Sequence, residues 1–377
     1  MKIIADDTIP YLKGIAEPIA DMVYLKSKDF SPEAVRPADA LIVRSIDKCS
    51  RHLLEGSRVK LITTATIGFD HIDTRFCDEA GIAWRNAPGC NAASVGLYVL
   101  ASLIAVSLKR GETLRGKTLG IVGVGHVGKI VEHLGHALGM TVLRNDPPRA
   151  EQEGDAGFVP LEVIAREADI VSFHVPLTAD GPYPTRHLAD YAFFRSLARR
   201  PWFINSCRGA VHDTEALKTA RREGLVSELI LDCWENEPNI DRELLDMATI
   251  ATPHIAGFSA DGKANATRMC LEEIERFFHV RFDRLAEVVP EPPRSASIDL
   301  RQWDDRRVEH AVLACFDPTE VDRRLREAPG NFEYFRNHYA HPRELQAYSL
   351  VGLRREEEEL ARQVGFRCVT EEHPDAL

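Results

Sequence analysis

Residues 118–128, TLGIVGVGHVG, constrain this chain more than any other stretch. A short apolar run, 119–124, breaks into Gly123-x-Gly125-x-x-Gly128, and a helical spacing of apolar residues follows from Val127 to Leu138. That order is strand, tight turn, helix. The first glycine permits the turn, the second lets backbone approach a pyrophosphate, and the third lets the helix pack on the strand. The start of the helix adds free N–H groups and a favourable dipole for phosphates. A glycine triplet alone is equally compatible with a plain glycine-rich turn. Here a second apolar run, 140–143, leads to Asp146, 23 residues after Gly123. An acid at that distance can accept from a ribose 2′-hydroxyl and repels a 2′-phosphate. The stretch therefore predicts a dinucleotide site that favours NAD over NADP, with Arg144 blunting the repulsion a little.

The 377 residues exceed one compact core and predict two or three domains. A formal net charge of -11 argues against non-specific binding to nucleic acid or to an acidic membrane surface. Eight cysteines, at 49, 77, 90, 207, 233, 270, 315 and 368, include no CxxC pair. They fit buried thiols in a reducing compartment better than a disulfide framework or a zinc site. No metal site is expected. The N-terminus lacks an apolar signal segment, and no run of 18 apolar residues predicts a membrane span, the 95–106 run being short and interrupted. The expected location is cytoplasmic.

Short apolar strands are predicted at 1–4, 40–43, 59–63 and 82–84, and again at 169–173, 202–205, 229–231 and 250–251. Wide spacing with helical segments between them predicts parallel α/β units. Such sheets bind ligands outside the carboxyl ends of their strands. Arg44, Ser45 and Thr66 fall at such ends in the first part of the chain. Residues 93–110 form a long apolar helix expected to cross between domains, and 257–279 a helix returning the chain to the first. PEPPRS (290–295) reads as a linker, and the charged tail beyond it holds Phe332, Tyr334, Phe335 and Tyr339 but no nucleotide or metal motif.

Three further residues follow predicted strands or lie in the loops after them: Arg208, Glu237 in WENEP, and His254. An arginine can grip a carboxylate with two donors. A histidine can take a hydroxyl proton, with a carboxylate fixing its tautomer. Oxidation of a secondary alcohol needs those parts and a hydride acceptor. Spacing alone does not unite the three, and His174, His187, His212 and His338 are open alternatives for the acid–base group.

In order along the chain, GIVGVGHVG, HVPLT (174–178), INSCRGAVHD (204–213), LDCWENEP (231–238) and TPHIAG (252–257) resemble the D-isomer-specific 2-hydroxyacid dehydrogenases. The narrower likeness of VRS (43–45), TATIGFDHID (64–73), APGCNA (87–92), NDPPR (145–149), DGPYPTRHL (180–188) and the tail is to the branch acting on 4-phospho-D-erythronate in vitamin B6 biosynthesis. Similarity covers nearly the full chain. The resemblance implies an α/β fold: two Rossmann-like parallel-sheet domains, a flavodoxin-like substrate domain (1–95 and 257–288) and an NAD-binding domain (96–256), plus a C-terminal dimerisation domain (289–377). It implies NAD-dependent oxidation of a small phosphorylated 2-hydroxy acid by a homodimer. Arg208, Glu237 and His254 would be catalytic. Gly123, Gly125, His126, Val127, Gly128, Asp146, Val175, Ser206, Cys207, Arg208, Asp232 and Gly257 would line the cofactor. Arg44, Ser45, Thr66 and Phe258 would line the substrate. The family pattern usually has an acid where Leu97 stands and a tyrosine at Phe258. Thr8, Val175 and His126 also depart from it. Another 2-hydroxyacid dehydrogenase, such as one acting on 3-phosphoglycerate, and a non-enzymatic NAD-sensing scaffold are the competing readings.

Overall fold

A computed structural model describes residues 1–154 and 156–368. The chain divides into two units, Met1–Asn91 with Ser259–Glu291, and Ala92–Phe258 with the segment from Pro292 onward.

The first unit is built on five parallel strands: β1 (Lys2–Asp6), β2 (Asp21–Leu25), β3 (Ala40–Val43), β4 (Leu61–Thr64) and β5 (Ala83–Arg85). Their spatial order is β2-β1-β3-β4-β5, with Ile3 paired to Ala40 and Ala40 to Leu61. β3 and β4 are buried at every position, which is why they read as unbroken apolar runs rather than alternating ones. β2 was not foreseen. It is an edge strand with a half-buried, mixed sequence, and edge strands carry the weakest pattern. Helix Ala260–Phe278 packs Leu271 and Ile274 into the core beside Ile3 and Ile42. Ser259 caps that helix, accepting from the Gly262 N–H at 2.8 Å.

The second unit holds six parallel strands: β6 (Thr118–Val122), β7 (Thr141–Asn145), β8 (Ile170–Phe173), β9 (Trp202–Asn205), β10 (Glu228–Leu231) and β11 (Ile250–Ala251). Their order is β11-β10-β9-β8-β6-β7. Numbered from its own first strand, this sheet repeats the 2-1-3-4-5 order of the first unit and adds a sixth strand. Both are doubly wound sheets, in which the connection reverses beside the first strand. The helix expected at 93–110 runs Ala92–Arg110 and falls in the second unit, which it opens. It is long and apolar enough to cross a membrane, but 78% of its apolar window is buried within the protein. Apolar length here serves a core.

The described tail joins this second unit. It adds a small parallel sheet, β12 (Ser297–Asp299), β13 (Ser349–Val351) and β14 (Arg367–Cys368), and helices including Arg307–Cys315 and Pro318–Glu327. Val308, Val312 and Phe316 enter the same apolar cluster as Leu103 and Leu119, while Leu325 and Phe332 enter the cluster around Phe203. Polar contacts tie it down as well. Asp322 accepts from the Ala251 N–H at 2.7 Å, and Arg326 donates to the carbonyls of Leu245 and Ala248. Of the aromatic residues singled out in the tail, Phe332 is buried, Phe335 and Tyr339 are partly buried, and Tyr334 is 57% exposed. The end of the tail, 369–377, lies outside the described residues.

Candidate active site

The glycine turn follows β6 as its sequence requires. Gly123 has φ +89, and a Cβ on Gly128 would lie 2.2 Å from the Gly123 carbonyl oxygen, so neither position accepts a side chain without movement. Helix His126–Ala137 starts from Gly125, whose cap supplies no side-chain acceptor and around which a Cβ would meet nothing within 4 Å. The first N–H groups of the helix are thus left to water or to an anion. His126 is exposed, and Val127 packs against the core. Asp146 accepts from the Val124 N–H at 2.8 Å with one oxygen and from the Arg149 N–H at 3.2 Å with the other, joining the glycine turn to the end of β7. Val175 Cγ1 lies 2.8 Å from where a Gly123 Cβ would stand. Ser206 Oγ and His174 Nδ1 are buried polar atoms without a hydrogen-bond partner among the described residues. A cradle that side chains would fill, open helix N–H groups and unsatisfied buried donors are what a dinucleotide would satisfy.

Asn205, at the end of β9, shapes the next turn. Its amide donates to the Arg208 carbonyl at 2.9 Å and its oxygen accepts from the Cys207 N–H at 3.1 Å. Burial pushes the Cys207 thiol up to about 11, so it stays a neutral thiol. Arg208 is exposed beyond this turn. A Cβ on Gly209 would lie 1.9 Å from the Trp234 carbonyl oxygen. Only glycine lets the Arg208 turn lie this close to the WENEP loop.

That loop and the one after β11 bring two foreseen residues together. His254 Nδ1 lies 2.8 Å from Glu237 Oε2, and Glu237 Oε1 accepts from the Trp234 N–H at 2.8 Å. Both carboxylate oxygens are therefore in use, and the imidazole proton is fixed on Nδ1 with Nε2 left as the basic nitrogen. His254 sits at φ +56, in the left-handed region, which costs a non-glycine residue energy and is kept where the surroundings impose it. Asp232 imposes it. Its carbonyl accepts from the His254 N–H at 2.8 Å, while its carboxylate takes the Ile255 and Ala256 N–H groups at 2.8 and 2.9 Å and the Thr252 hydroxyl at 2.6 Å. Burial pushes the Asp232 carboxyl up, with the His254 charge and these hydrogen bonds opposing it. The acid foreseen as a cofactor contact is thus, in the first place, what holds the histidine turn.

One cleft of about 290 Å³ is lined by Arg208, Glu237 and His254 together, and also by Leu177, Arg186, Gly209, Ala210, Trp234, Glu235 and Asn236. Arg186 and Glu235 were not singled out from the sequence. The signal available was their place in DGPYPTRHL and WENEP, motifs noted only for resemblance. Cys233, Glu237 and His254 also lie close enough, within 4.8 Å, to hold a metal ion. Burial raises the Cys233 thiol well above its ordinary range, and Glu237 is spent on Trp234 and His254, so this trio is a poor ligand set. The other histidines are placed differently. His212 is fully buried against Asn205, and His187 pairs with Glu235 at 2.8 Å. His338 stacks on Tyr334 in the tail.

Among the remaining foreseen residues, Phe258 follows this loop and packs edge-on against His341 of the tail at 5.7 Å. Gly257, beside it, is half-buried. Arg44, Ser45 and Thr66 lie in the first unit, beyond the ends of β3 and β4. Arg44 reaches the Thr8 hydroxyl and stands 3.9 Å from Asp6. Thr66 bonds the Thr64 hydroxyl and the Gly68 carbonyl at 2.7 and 2.8 Å.

Known proteins share this chain's sequence and fold. The D-isomer specific 2-hydroxyacid dehydrogenase, NAD binding domain, matches residues 104–256. An erythronate-4-phosphate dehydrogenase of Porphyromonas gingivalis is 52% identical over 367 residues, covering 97% of this chain and 100% of that protein. One of Bacteroides thetaiotaomicron is 51% identical over 94% of this chain and 100% of its own length. Among solved structures, an NAD⁺-bound 3-phosphoglycerate dehydrogenase of Entamoeba histolytica is similar, with TM-score 0.60 and 27% identity over 75% of this chain and 97% of that one. With the glycine cradle, the tethered Glu237–His254 pair and identity over nearly the whole length, the chain belongs to the erythronate-4-phosphate dehydrogenases of the D-isomer-specific 2-hydroxyacid dehydrogenase family and is an NAD-dependent oxidoreductase.

Proposed function

We propose that the chain oxidises 4-phospho-D-erythronate to (R)-3-hydroxy-2-oxo-4-phosphooxybutanoate in pyridoxal 5′-phosphate biosynthesis. The observation that carries this reading is the 2.8 Å pair of His254 and Glu237 in the cleft that Arg208 also lines, within a chain 52% identical to a curated erythronate-4-phosphate dehydrogenase. His254 Nε2 takes the proton of the C2 hydroxyl, and Glu237 stabilises the imidazolium that results. Arg208 holds the C1 carboxylate and steadies negative charge on the C2 oxygen. When bound, NAD accepts the hydride that leaves C2.

In this reading Gly123, Gly125, His126, Val127 and Gly128 receive the pyrophosphate and Asp146 the adenosine ribose. Val175, Ser206, Cys207, Arg208, Asp232 and Gly257 line the nicotinamide side. Arg44, Ser45, Thr66 and Phe258 serve the substrate, with Arg44 and Ser45 directed to its phosphate. Remote binding of that phosphate supplies energy that the reacting carbon can use. Steady-state kinetics on 4-phospho-D-erythronate, D-erythronate and 3-phosphoglycerate test the proposal. The first should exceed the second in kcat/KM by a factor in the hundreds, as two charge-assisted hydrogen bonds of about 1.5–3 kcal/mol each allow. Similar values for the two erythronates would reject this substrate and leave the broader 2-hydroxyacid dehydrogenase activity.

A homodimer built through the tail is part of the same proposal. Since Phe332 is used inside the chain, Tyr334 is the aromatic residue the tail leaves most exposed. Removing the whole tail would uncover the second unit's core, so the informative comparison is sedimentation of the full chain against full-length Tyr334→Asp. A monomeric wild type would end the dimer reading.

A further inference from the structure

We infer that Arg186 is a specificity-determining residue, a cation additional to Arg44 for the anionic group of the substrate remote from the carboxylate held by Arg208. The inference rests on the reading of the cleft given above and adds a residue to it. Arg186 lies in DGPYPTRHL, is exposed, and lines the cleft with Arg208 and His254. Among the described residues no hydrogen bond, ion pair or ring contact engages its guanidinium. Among the described residues neither glutamate of the same cleft forms an ion pair with it, and their oxygens are engaged elsewhere. Glu237 holds Trp234 and His254, while Glu235 takes His187 Nε2 at 2.8 Å and the Thr214 N–H at 2.9 Å. The cleft therefore presents two arginines and no acid with a free oxygen among those pairs. A monoanionic 2-hydroxy acid needs one such cation, and an acid with a second anionic end needs both.

The backbone holds Arg186 in place rather than leaving it on a loose loop. Its N–H donates to the Thr178 carbonyl at 2.9 Å, and the next N–H, of His187, donates to Ala210 at 2.8 Å. Ala210 lines the cleft two residues after Arg208. The Thr185 hydroxyl accepts from the Thr178 N–H at 2.8 Å and donates to the Pro176 carbonyl. The residues on either side of Arg186 are thus pinned to the strand-end loop at one side and to the Arg208 turn and Glu235 at the other. With the backbone so fixed, the ordering cost of binding is confined to the side chain itself.

The test uses the full-length chain with Arg186→Ala and Arg186→Lys, assayed on 4-phospho-D-erythronate and on D-erythronate. Arg186→Ala should raise KM for the phosphorylated acid by about tenfold or more, with a much smaller change in kcat, and should shrink the preference between the two acids by a similar factor. Arg186→Lys should recover part of that preference. Inorganic phosphate should inhibit the wild type competitively and Arg186→Ala more weakly, while NAD affinity by fluorescence titration stays the same in both. A wild type that does not distinguish the two acids would defeat the substrate reading and this inference together. A wild type that distinguishes them, with an Arg186→Ala variant that distinguishes them equally well, would overturn this inference alone. Equal losses on both acids would also overturn it, by showing a structural rather than an anion-specific role.

Discussion

β1 ends at Asp6, while β6 runs into Gly123, and around those two ends the units part company. Their sheets share a strand order, so each has the same topological switch point beside its first strand. In the first unit the end is filled by its own side chains. Asp6 is buried and accepts from the Thr8 N–H and the Ser27 hydroxyl, each at 2.8 Å, and from the Thr8 hydroxyl, with Arg44 3.9 Å away. Burial alone would push the Asp6 carboxyl up, but those hydrogen bonds and the Arg44 charge together hold it below the usual carboxylate range. In the second unit the end is a bare turn, and the helix starts at Gly125, which has no side chain to cap its first N–H groups. Topology offers a crevice twice, and local side chains decide which one stays open to a dinucleotide.

The largest effect expected in the open unit is on chemistry. His254→Ala should lower turnover by about 10³-fold or more while NAD affinity stays within about twofold. Steady-state rates and a fluorescence titration of NAD check both halves, and near-wild-type turnover would remove His254 from the mechanism.

Next comes the contrast between the two strand ends. Gly128→Ala should weaken NAD binding by about 100-fold, since its Cβ has no room against the Gly123 carbonyl. Thr8→Gly, which loosens the filled end of the first unit, should lower Tm and leave NAD affinity unchanged. Calorimetric titration of both variants would blur the comparison if they lost NAD affinity alike.

Asp146→Ala should act more mildly. It should narrow the preference for NAD over NADP by about tenfold, mainly by weakening NAD, because the carboxylate that ties the glycine turn is also the one proposed to meet the ribose. Unchanged discrimination would move the source of cofactor preference elsewhere.

The last effect is on stability rather than on binding, and it concerns acid. Burial holds His174 at about 3 and His212 at about 4 in the second unit. Both values lie below the ordinary histidine value of about 6.5, so on acidification the unfolded chain takes up these protons first. The stability each contributes is complete above about pH 6.5 and is lost as pH falls toward the folded values. Hydrogen exchange at pH 7 and pH 5 should show the second unit losing protection by an amount on the order of 2 kcal/mol for each of these two histidines. The first unit has His71, which burial also lowers against the opposing charge of Asp70. His212→Gln should flatten the second unit's pH dependence, and an unaltered slope would show that His212 does not drive it.

Much of this molecule is legible in one dimension because its determinants are local. A fully buried parallel strand needs a short unbroken apolar run, so β3, β9 and β11 stand in the sequence at their observed bounds. A dinucleotide turn needs glycines at fixed offsets from a helix start, and Gly123, Gly125 and Gly128 supply them. What local pattern cannot encode is which distant segments meet. His254 and Glu237 are 17 residues apart, and only the pairing of β10 with β11 sets them at 2.8 Å. Arg186 reaches the cleft because His187 bonds to Ala210 across the turn after β9. The tail reads as a separate charged segment, yet Leu325 and Phe332 are core residues of the second unit. Apolar side chains record that they must be buried, and only the folded chain determines against what, because burial is non-directional while hydrogen bonds and packing are matters of position.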